Sequence, residues 1–114
     1  MTYEPWSVVV VPFPFVDRRQ TKRRPAVVLS PTGFQEGHRC AVLGMITDAR
    51  NPRCPSDVSI GDIAAAGLVF ASVFRCKLFT LDSHLILARI GGLVRSDRSI
   101  MAAVLRSALA MSRI

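Results

Sequence analysis

Residues 8–30, VVVVPFPFVDRRQTKRRPAVVLS, set two apolar runs on either side of a dense cationic segment. The first run is β-branched and stops at Pro12 and Pro14, which cannot donate to a ladder and so belong at a strand end or a sheet edge. Residues 25–30 repeat its composition, and the pattern predicts two strands joined through a basic loop. Arg18, Arg19, Lys22, Arg23 and Arg24 crowd that loop. Cations so close together repel one another unless an anion screens them, and a polyphosphate backbone does so while releasing counterions. A solvated hairpin tip without a ligand is the alternative reading.

The whole chain carries fifteen Lys and Arg against eight Asp and Glu, a net charge of +7, and the basic loop holds most of that excess. Nucleic acid is the partner such a distribution favours. A length of 114 residues, half of them apolar, fits one domain over residues 1–114 with a core that needs neither cofactor nor disulfide. Cys40, Cys54 and Cys76 are odd in number and lack CxxC spacing, which argues against a disulfide framework or a zinc site. The eight carboxylates are scattered, so no metal site is expected. The N-terminus lacks the pattern of a secretory signal, and the longest apolar stretch, residues 8–16, is too short to span a bilayer. A cytoplasmic protein without membrane contact is the expectation.

Beyond residue 30, Pro31, Thr32 and Gly33 open a polar segment, read as a loop, that runs to Arg39. Residues 40–47, CAVLGMIT, form a third strand, and residues 48–57, DARNPRCPSD, a second long loop. Residues 58–60 read as a short strand, 62–66 as one helical turn, and Gly67 as a break before LVFASVFR. Residues 79–81 read as a further short strand. In the tail, Ser96 is placed to cap a helix with Asp97 in its first turn. Ile100, Met101, Val104, Leu105, Ala108 and Leu109 then recur at helical spacing, with Arg106 and Arg113 toward the end. The sum is a mainly β fold, an antiparallel sheet or barrel closed by one C-terminal α-helix.

If the second and third strands pair antiparallel, partner positions share a constant index sum. The centre of the connection, at Gln35 or Glu36, sets that sum at about 71. Arg24 then falls opposite Thr47, at the end of the sheet from which both loops leave. Arg24 is suited to hold phosphate oxygens through two parallel hydrogen bonds, and the Thr47 hydroxyl to donate a third. Geometry alone equally allows a further loop cation and a strand-end threonine.

Several segments, in this order, resemble the MazF/PemK toxins of bacterial toxin–antitoxin modules: YEPWSVVVVPFPFVDRRQTKRRPAVVLS at residues 3–30, ITDAR at 46–50, AGLVFASVFRCKLFTLD at 66–82, and IGGL at 90–93 before a helix. The resemblance implies an SH3-like β-barrel of MazF/Kid/CcdB type that forms a homodimer. It also implies a metal-independent, cofactor-free, sequence-selective endoribonuclease (an mRNA interferase) that cleaves single-stranded RNA and is neutralised by a cognate antitoxin. Arg24 and Thr47 match the family's catalytic arginine and threonine. Arg75 matches a strand arginine that serves catalysis in the Kid/PemK branch, where the residue two further on is an aspartate; here it is Lys77. Where the family usually has glycine then aspartate, this chain has Trp6 and Ser7, and the basic loop lacks the histidine of the Kid/PemK branch. His38 and His84 lie in other segments.

RNA cleaves itself when a 2′-hydroxyl attacks the neighbouring phosphorus, and Arg24 and Arg75 suit the charge that develops there. An arginine is poorly suited to act as the base. Asp48, and after it Asp17 or Glu36, are the carboxylates near enough in sequence. Arg18, Arg19, Lys22, Arg23 and Lys77 are the expected RNA-binding cations. Trp6, Phe13, Phe15 and Phe34 flank the proposed pocket in sequence, with Trp6 the exposed stacking platform. The alternatives to a nuclease are a non-catalytic nucleic-acid-binding module and a CcdB-like toxin directed at DNA gyrase.

Overall fold

A computed structural model of the chain describes residues 1–13 and 22–111. Arg18, Arg19, Phe15, Asp17 and Arg113 lie outside the described residues. β1 (Ser7–Phe13) and β2 (Lys22–Val28) pair antiparallel from Val8↔Val27 to Phe13↔Lys22. β2 in turn pairs with β3 (Cys40–Asp48) at Ala26↔Met45, Val27↔Gly44 and Val28↔Leu43, and each of these pairs sums to 71.

The connection between β2 and β3 is not a loop. Residues Thr32–His38 form a helix, α1, which Arg39 ends in a left-handed conformation at φ 54°. Two glycines and a polar face hide this helix from any periodicity argument, because what holds it is one buried side chain. Gln35 accepts the Tyr3 N–H at 2.9 Å and donates through Nε2 to the carbonyls of Tyr3 (2.7 Å) and Ser30 (2.9 Å). A polar residue buried with every group satisfied costs little and fixes one geometry.

β5 (Ser72–Asp82) is one long strand on the far side of β3, not the two short pieces the sequence suggests. The polar triplet at 75–77 that looks like a break is a bulge: consecutive Gly44 and Met45 face Leu78 and Arg75, leaving Cys76 and Lys77 out of register. β4 (Val58–Ser59) pairs with β5, and β6 (Ala88–Gly92) pairs with β1. β6 escapes a sequence reading because it contains Gly91 and Gly92. Gly91 is required by close approach, since a Cβ there would collide with the backbone of Ala65 and Ala66. All pairings are antiparallel, and the order β4-β5-β3-β2-β1-β6 makes a six-stranded half-barrel.

Both faces of the sheet are covered, which explains why the valine run does not alternate with polar residues. Val8 and Val27 join a cluster with Ile46, Phe74, Leu93 and Met101, while Val9, Val11, Ala26 and Val28 join Ala41, Leu43 and Leu81 in a second. The C-terminal helix α2 (Arg95–Ala108) packs its Met101, Val104 and Leu105 on the first cluster. Ile100 and Leu109, counted with that stripe by spacing, are about half exposed at 53% and 50%. Ser96 is not the cap: Val94 holds that position without a side-chain bond. Asp97 is buried, and its carboxylate accepts the N–H groups of Gly61 (2.9 Å) and Asp62 (3.1 Å), tying the helix to the turn at 61–67. Within that turn Ala66 N–H donates to the Asp62 carbonyl, as the single helical turn predicted there requires. The three cysteines are free thiols. Among the described residues no helix is long and apolar enough to cross a membrane.

Gly44 lies where the Phe74 ring crosses β3, and a Cβ there would overlap the ring. Gly44→Ala is expected to lower stability by about 1–3 kcal/mol, the range for an overfilled core. An unchanged urea midpoint would show that Phe74 is free to move aside.

Candidate active site

The β2–β3 ladder ends at Ala26↔Met45, yet β1 follows β2 on to Lys22 and β5 follows β3 on to Asp48. Pro25 has no N–H with which to continue the ladder. The wedge where β2 and β3 part is a cavity of about 190 Å³, lined by Arg24, Pro25, Met45, Ile46, Thr47 and Asn51, with Val11, Phe13 and Phe79 completing its wall. A larger groove, about 610 Å³, adjoins it and is also lined by Arg24, Pro25, Ile46 and Thr47. Arg24 and Thr47 therefore stand together on the divide between two concavities, as the index sum places them.

The two side chains differ in how they are held. Arg24 is on the exposed end of β2 beside Lys22 and Arg23, and its guanidinium has no hydrogen-bond or ion-pair partner among the described residues. Thr47 is half-buried, and its Oγ1 accepts a hydrogen bond from Asn51 Nδ2 at 2.8 Å. Asn51 is the residue the sequence reading missed. Its signal was the Asp-x-x-Asn spacing after the strand: the Asp48 carbonyl accepts the Asn51 N–H at 3.0 Å, and Asp48 Oδ1 accepts the Arg50 N–H at 2.9 Å, which is Asx-turn geometry.

Asp48, by sequence either a base candidate or an ordinary turn residue, forms the turn and is engaged by Arg50. Arg50 Nε reaches both carboxylate oxygens at 3.1 Å and Nη2 donates to Oδ2 at 2.6 Å. These side-chain bonds, and after them the Arg50 N–H, hold the Asp48 carboxyl below its ordinary value, so it is a weak proton acceptor. Glu36 and His84 line a separate concavity beside Met1 and Arg39. Phe34 stacks with His38 at 4.4 Å between ring centroids. Of the flanking aromatics described, Phe13 alone lines the cavity.

Arg75 and Trp6 are also placed elsewhere. Arg75 donates through Nε to Asp57 Oδ1 (3.2 Å) and through Nη2 to Asp57 Oδ2 (3.0 Å) and the Pro52 carbonyl (2.8 Å); it lines neither the cavity nor the groove. Lys77 is exposed in the β5 bulge. Trp6 packs on the core and lines a shallow groove with Leu105, Leu109 and Met111 of the C-terminal segment. Its φ of 71° is the conformation that glycine adopts readily, so the turn survives the replacement of glycine. Ser7 is buried, and its Oγ accepts a hydrogen bond from Arg89 Nε at 3.2 Å. Among the described residues no group of three or more His, Cys, Asp or Glu is arranged to hold a metal ion.

A family model described as PemK-like, MazF-like toxin of type II toxin–antitoxin system matches residues 4–109. No curated protein matches the chain significantly. Among solved structures, MazF from Deinococcus radiodurans is similar over 97% of this chain and 99% of its own, with TM-score 0.74 and 20% identity. The MazE–MazF complex from the same organism aligns over 96% and 98%, with TM-score 0.76 and 21% identity. An endoribonuclease in complex with its cognate antitoxin, from a mycobacterial species, covers 98% and 97% with TM-score 0.74 and 13% identity.

The Asp57 side chain is only 2% exposed. Its hydrogen bonds from Arg75 hold its carboxyl below the ordinary value of 3.8. A depressed folded-state pKa contributes stability that is complete above the unfolded value and is lost as pH falls through the folded one. Asp57→Asn is therefore expected to lower the urea midpoint at neutral pH, by an amount that stays level down to about pH 4 and narrows below it. A difference that widens on acidification would mean the ion pair does not stabilise this loop.

Proposed function

Because the chain belongs to the PemK-like, MazF-like toxin family of type II toxin–antitoxin systems, we propose that it is a sequence-selective, metal-independent endoribonuclease acting on single-stranded RNA in the cytoplasm, with Arg24 and Thr47 as its catalytic pair. The observation that carries this reading is a guanidinium without a hydrogen-bond or ion-pair partner among the described residues and a threonine hydroxyl, both lining the same two concavities. Solved structures of similar chains include an endoribonuclease with its cognate antitoxin and a MazE–MazF complex.

The chemistry needs little from the protein beyond alignment and charge. The 2′-oxygen forms a bond to phosphorus and gives up its proton, the bond from phosphorus to the 5′-oxygen breaks, and that oxygen takes up a proton. The products are a 2′,3′-cyclic phosphate and a 5′-hydroxyl. Arg24 grips the non-bridging oxygens, where charge grows in the phosphorane, and such a donor contributes roughly 3 kcal/mol when well placed. Thr47 donates a further hydrogen bond and fixes the phosphate in the wedge. With Asp48 committed to Arg50, catalysis rests on charge stabilisation and alignment more than on an activated base.

Lys22 and Arg23, together with Arg18 and Arg19, track the RNA backbone toward the pocket, and Lys77 adds charge from the bulge. Trp6, on the opposite side of β1 from the wedge, would stack only a base that wraps around to the C-terminal helix. The cognate antitoxin offers an acidic segment that folds on binding to the same cationic end and competes with RNA. The protein acts as a homodimer, whose contact the half-exposed apolar side chains Phe70, Leu87 and Ile90 along the groove would suit. A gyrase-directed role gives no use to an arginine and a threonine brought together at a strand divergence, and a purely binding role, which would use both to hold phosphate, is separated from the nuclease by whether the RNA is cut.

Arg24→Ala is expected to abolish cleavage of a long single-stranded RNA in chelator-containing buffer while leaving the thermal unfolding curve unchanged, and Thr47→Ala to slow cleavage by about 10²-fold. A fully active Arg24→Ala protein would remove the site assignment. Replacing Arg18, Arg19, Lys22 and Arg23 by Ser should weaken RNA affinity and flatten its dependence on salt, by about 0.7 in log–log slope for each phosphate that is no longer neutralised. An unaltered slope would place RNA elsewhere.

A further inference from the structure

The segment at 48–57 is restrained from both ends. Directly after Thr47, the Asp48 turn accepts the N–H groups of Arg50 and Asn51, and the Arg50 guanidinium closes on the same carboxylate. From the far end, Arg75 holds the Pro52 carbonyl at 2.8 Å and pairs with Asp57, whose Oδ2 also accepts the Cys54 N–H at 3.0 Å. Asn51 lies between these two anchors, immediately before Pro52. Its side chain is exposed, yet it turns back to place Nδ2 2.8 Å from Thr47 Oγ1 on the cavity wall.

A threonine hydroxyl has one proton to give and two lone pairs to accept with, and its hydrogen rotates to suit its neighbours. With the Asn51 amide donating to Oγ1, one lone pair is filled and the hydroxyl proton is not spent on Asn51, which leaves it to be given to a group in the cavity that Thr47 and Arg24 both line. The geometry points to Asn51 as a positioning residue for Thr47, which sets that hydroxyl as a donor to the scissile phosphate, with Arg75 acting on the reaction through this loop and not on the phosphate itself. This rests on the reading of Thr47 as a phosphate ligand. It gives a purpose to two features otherwise unconnected to the wedge: the diversion of Arg75 onto Asp57 and Pro52, and the commitment of Asp48 to a turn. A hydroxyl oriented before substrate arrives gives up no rotational freedom when the transition state forms, so the effect falls on kcat.

The test is a double-mutant cycle on cleavage of a single-stranded RNA oligonucleotide containing a cut site mapped with the parent protein. Asn51→Ala should lower kcat about tenfold with KM unchanged. Thr47→Val, which keeps the shape and removes the hydroxyl, should lower kcat further, and adding Asn51→Ala to it should cost nothing more. Asn51→Asp, an acceptor-only side chain that draws the hydroxyl proton to itself, should be at least as slow as Asn51→Ala. Arg75→Ala should lower kcat in the parent background and have little of that effect when Asn51 is already alanine. Losses at Asn51 and Thr47 that multiply, or an Asn51→Ala protein altered in KM alone, would overturn the positioning role while leaving the cleavage site in place. A Thr47→Val protein as active as the parent, or a parent that does not cut, would instead remove the cleavage reading and this inference with it.

Discussion

The pairing of β2 with β3 is the constraint on which the molecule depends. It runs over Ala26↔Met45, Val27↔Gly44 and Val28↔Leu43 and then ends. Both strands are buried on both faces through this stretch, so a slip of one residue would carry Val27 and Ile46 out of one apolar cluster and into the other, reversing the environment of every side chain on the strand. The distinct shapes of the two clusters, together with the α1 connection that Gln35 anchors, fix the register. Beyond Met45 the strands separate while their outer neighbours stay paired, and a wedge opens at the rim of the sheet, apolar over most of its wall but carrying Arg24, Thr47 and Asn51. Arg24 and Thr47 are rim residues of that wedge because the core has already decided where Ala26 and Met45 stand.

Two arginines show how a protein with a net charge of +7 uses its cations differently. Arg75 pairs with a carboxylate that also accepts the Cys54 N–H, donates to a carbonyl besides, and so carries its charge inside a satisfied network. Its neighbour Asp57, nearly excluded from solvent, would be costly to bury unpaired. Arg24 has neither kind of partner among the described residues and lies beside two further cations on β2. A site left electrostatically unsatisfied attracts an anion. One already neutralised by its own fold attracts none, and it shapes the loop around it instead.

What the sequence disclosed and what it concealed divide along the range of the interactions responsible. The strands at 7–13 and 40–48, the apolar part of the strand at 22–28, the index sum of the β2–β3 pairs and the C-terminal helix follow from apolar runs, from prolines that stop a ladder and from helical spacing. Lys22, Arg23 and Arg24, read as loop, belong to β2 because β1 goes on pairing with them. The helix α1 escaped because a single glutamine bonded to Tyr3, thirty-two positions away, holds it. β6 escaped because its glycines answer to the backbone of residues 65 and 66. The polar triplet 75–77 looked like a strand end because its reason for being polar, the reach of Arg75 to Asp57, is a contact across eighteen positions. Asn51 was overlooked for the opposite cause: it lies only four residues from Thr47, but on a loop, where composition says nothing of which way an amide points.

Trp6 shows how far the fold will go to keep its geometry. A bulky residue at φ 71° is strained by about 1–3 kcal/mol. The strain is held locally by the turn that the Ser7 N–H closes on the Glu4 carbonyl at 3.1 Å, and at long range because both backbone groups of Trp6 are spoken for: its N–H donates to the Val28 carbonyl at 2.7 Å, and its carbonyl accepts the Leu93 N–H at 3.0 Å. Those two bonds join the end of β2 to the segment leading into α2, so relaxing the tryptophan would detach the helix from the sheet. Ser7, next in the chain, is buried and holds Arg89 of β6. The tryptophan and serine at these positions thus keep β1 closed against both of its neighbours. Because Val11 of that same strand faces Arg24, the strain at one end of β1 helps maintain the wedge at the other.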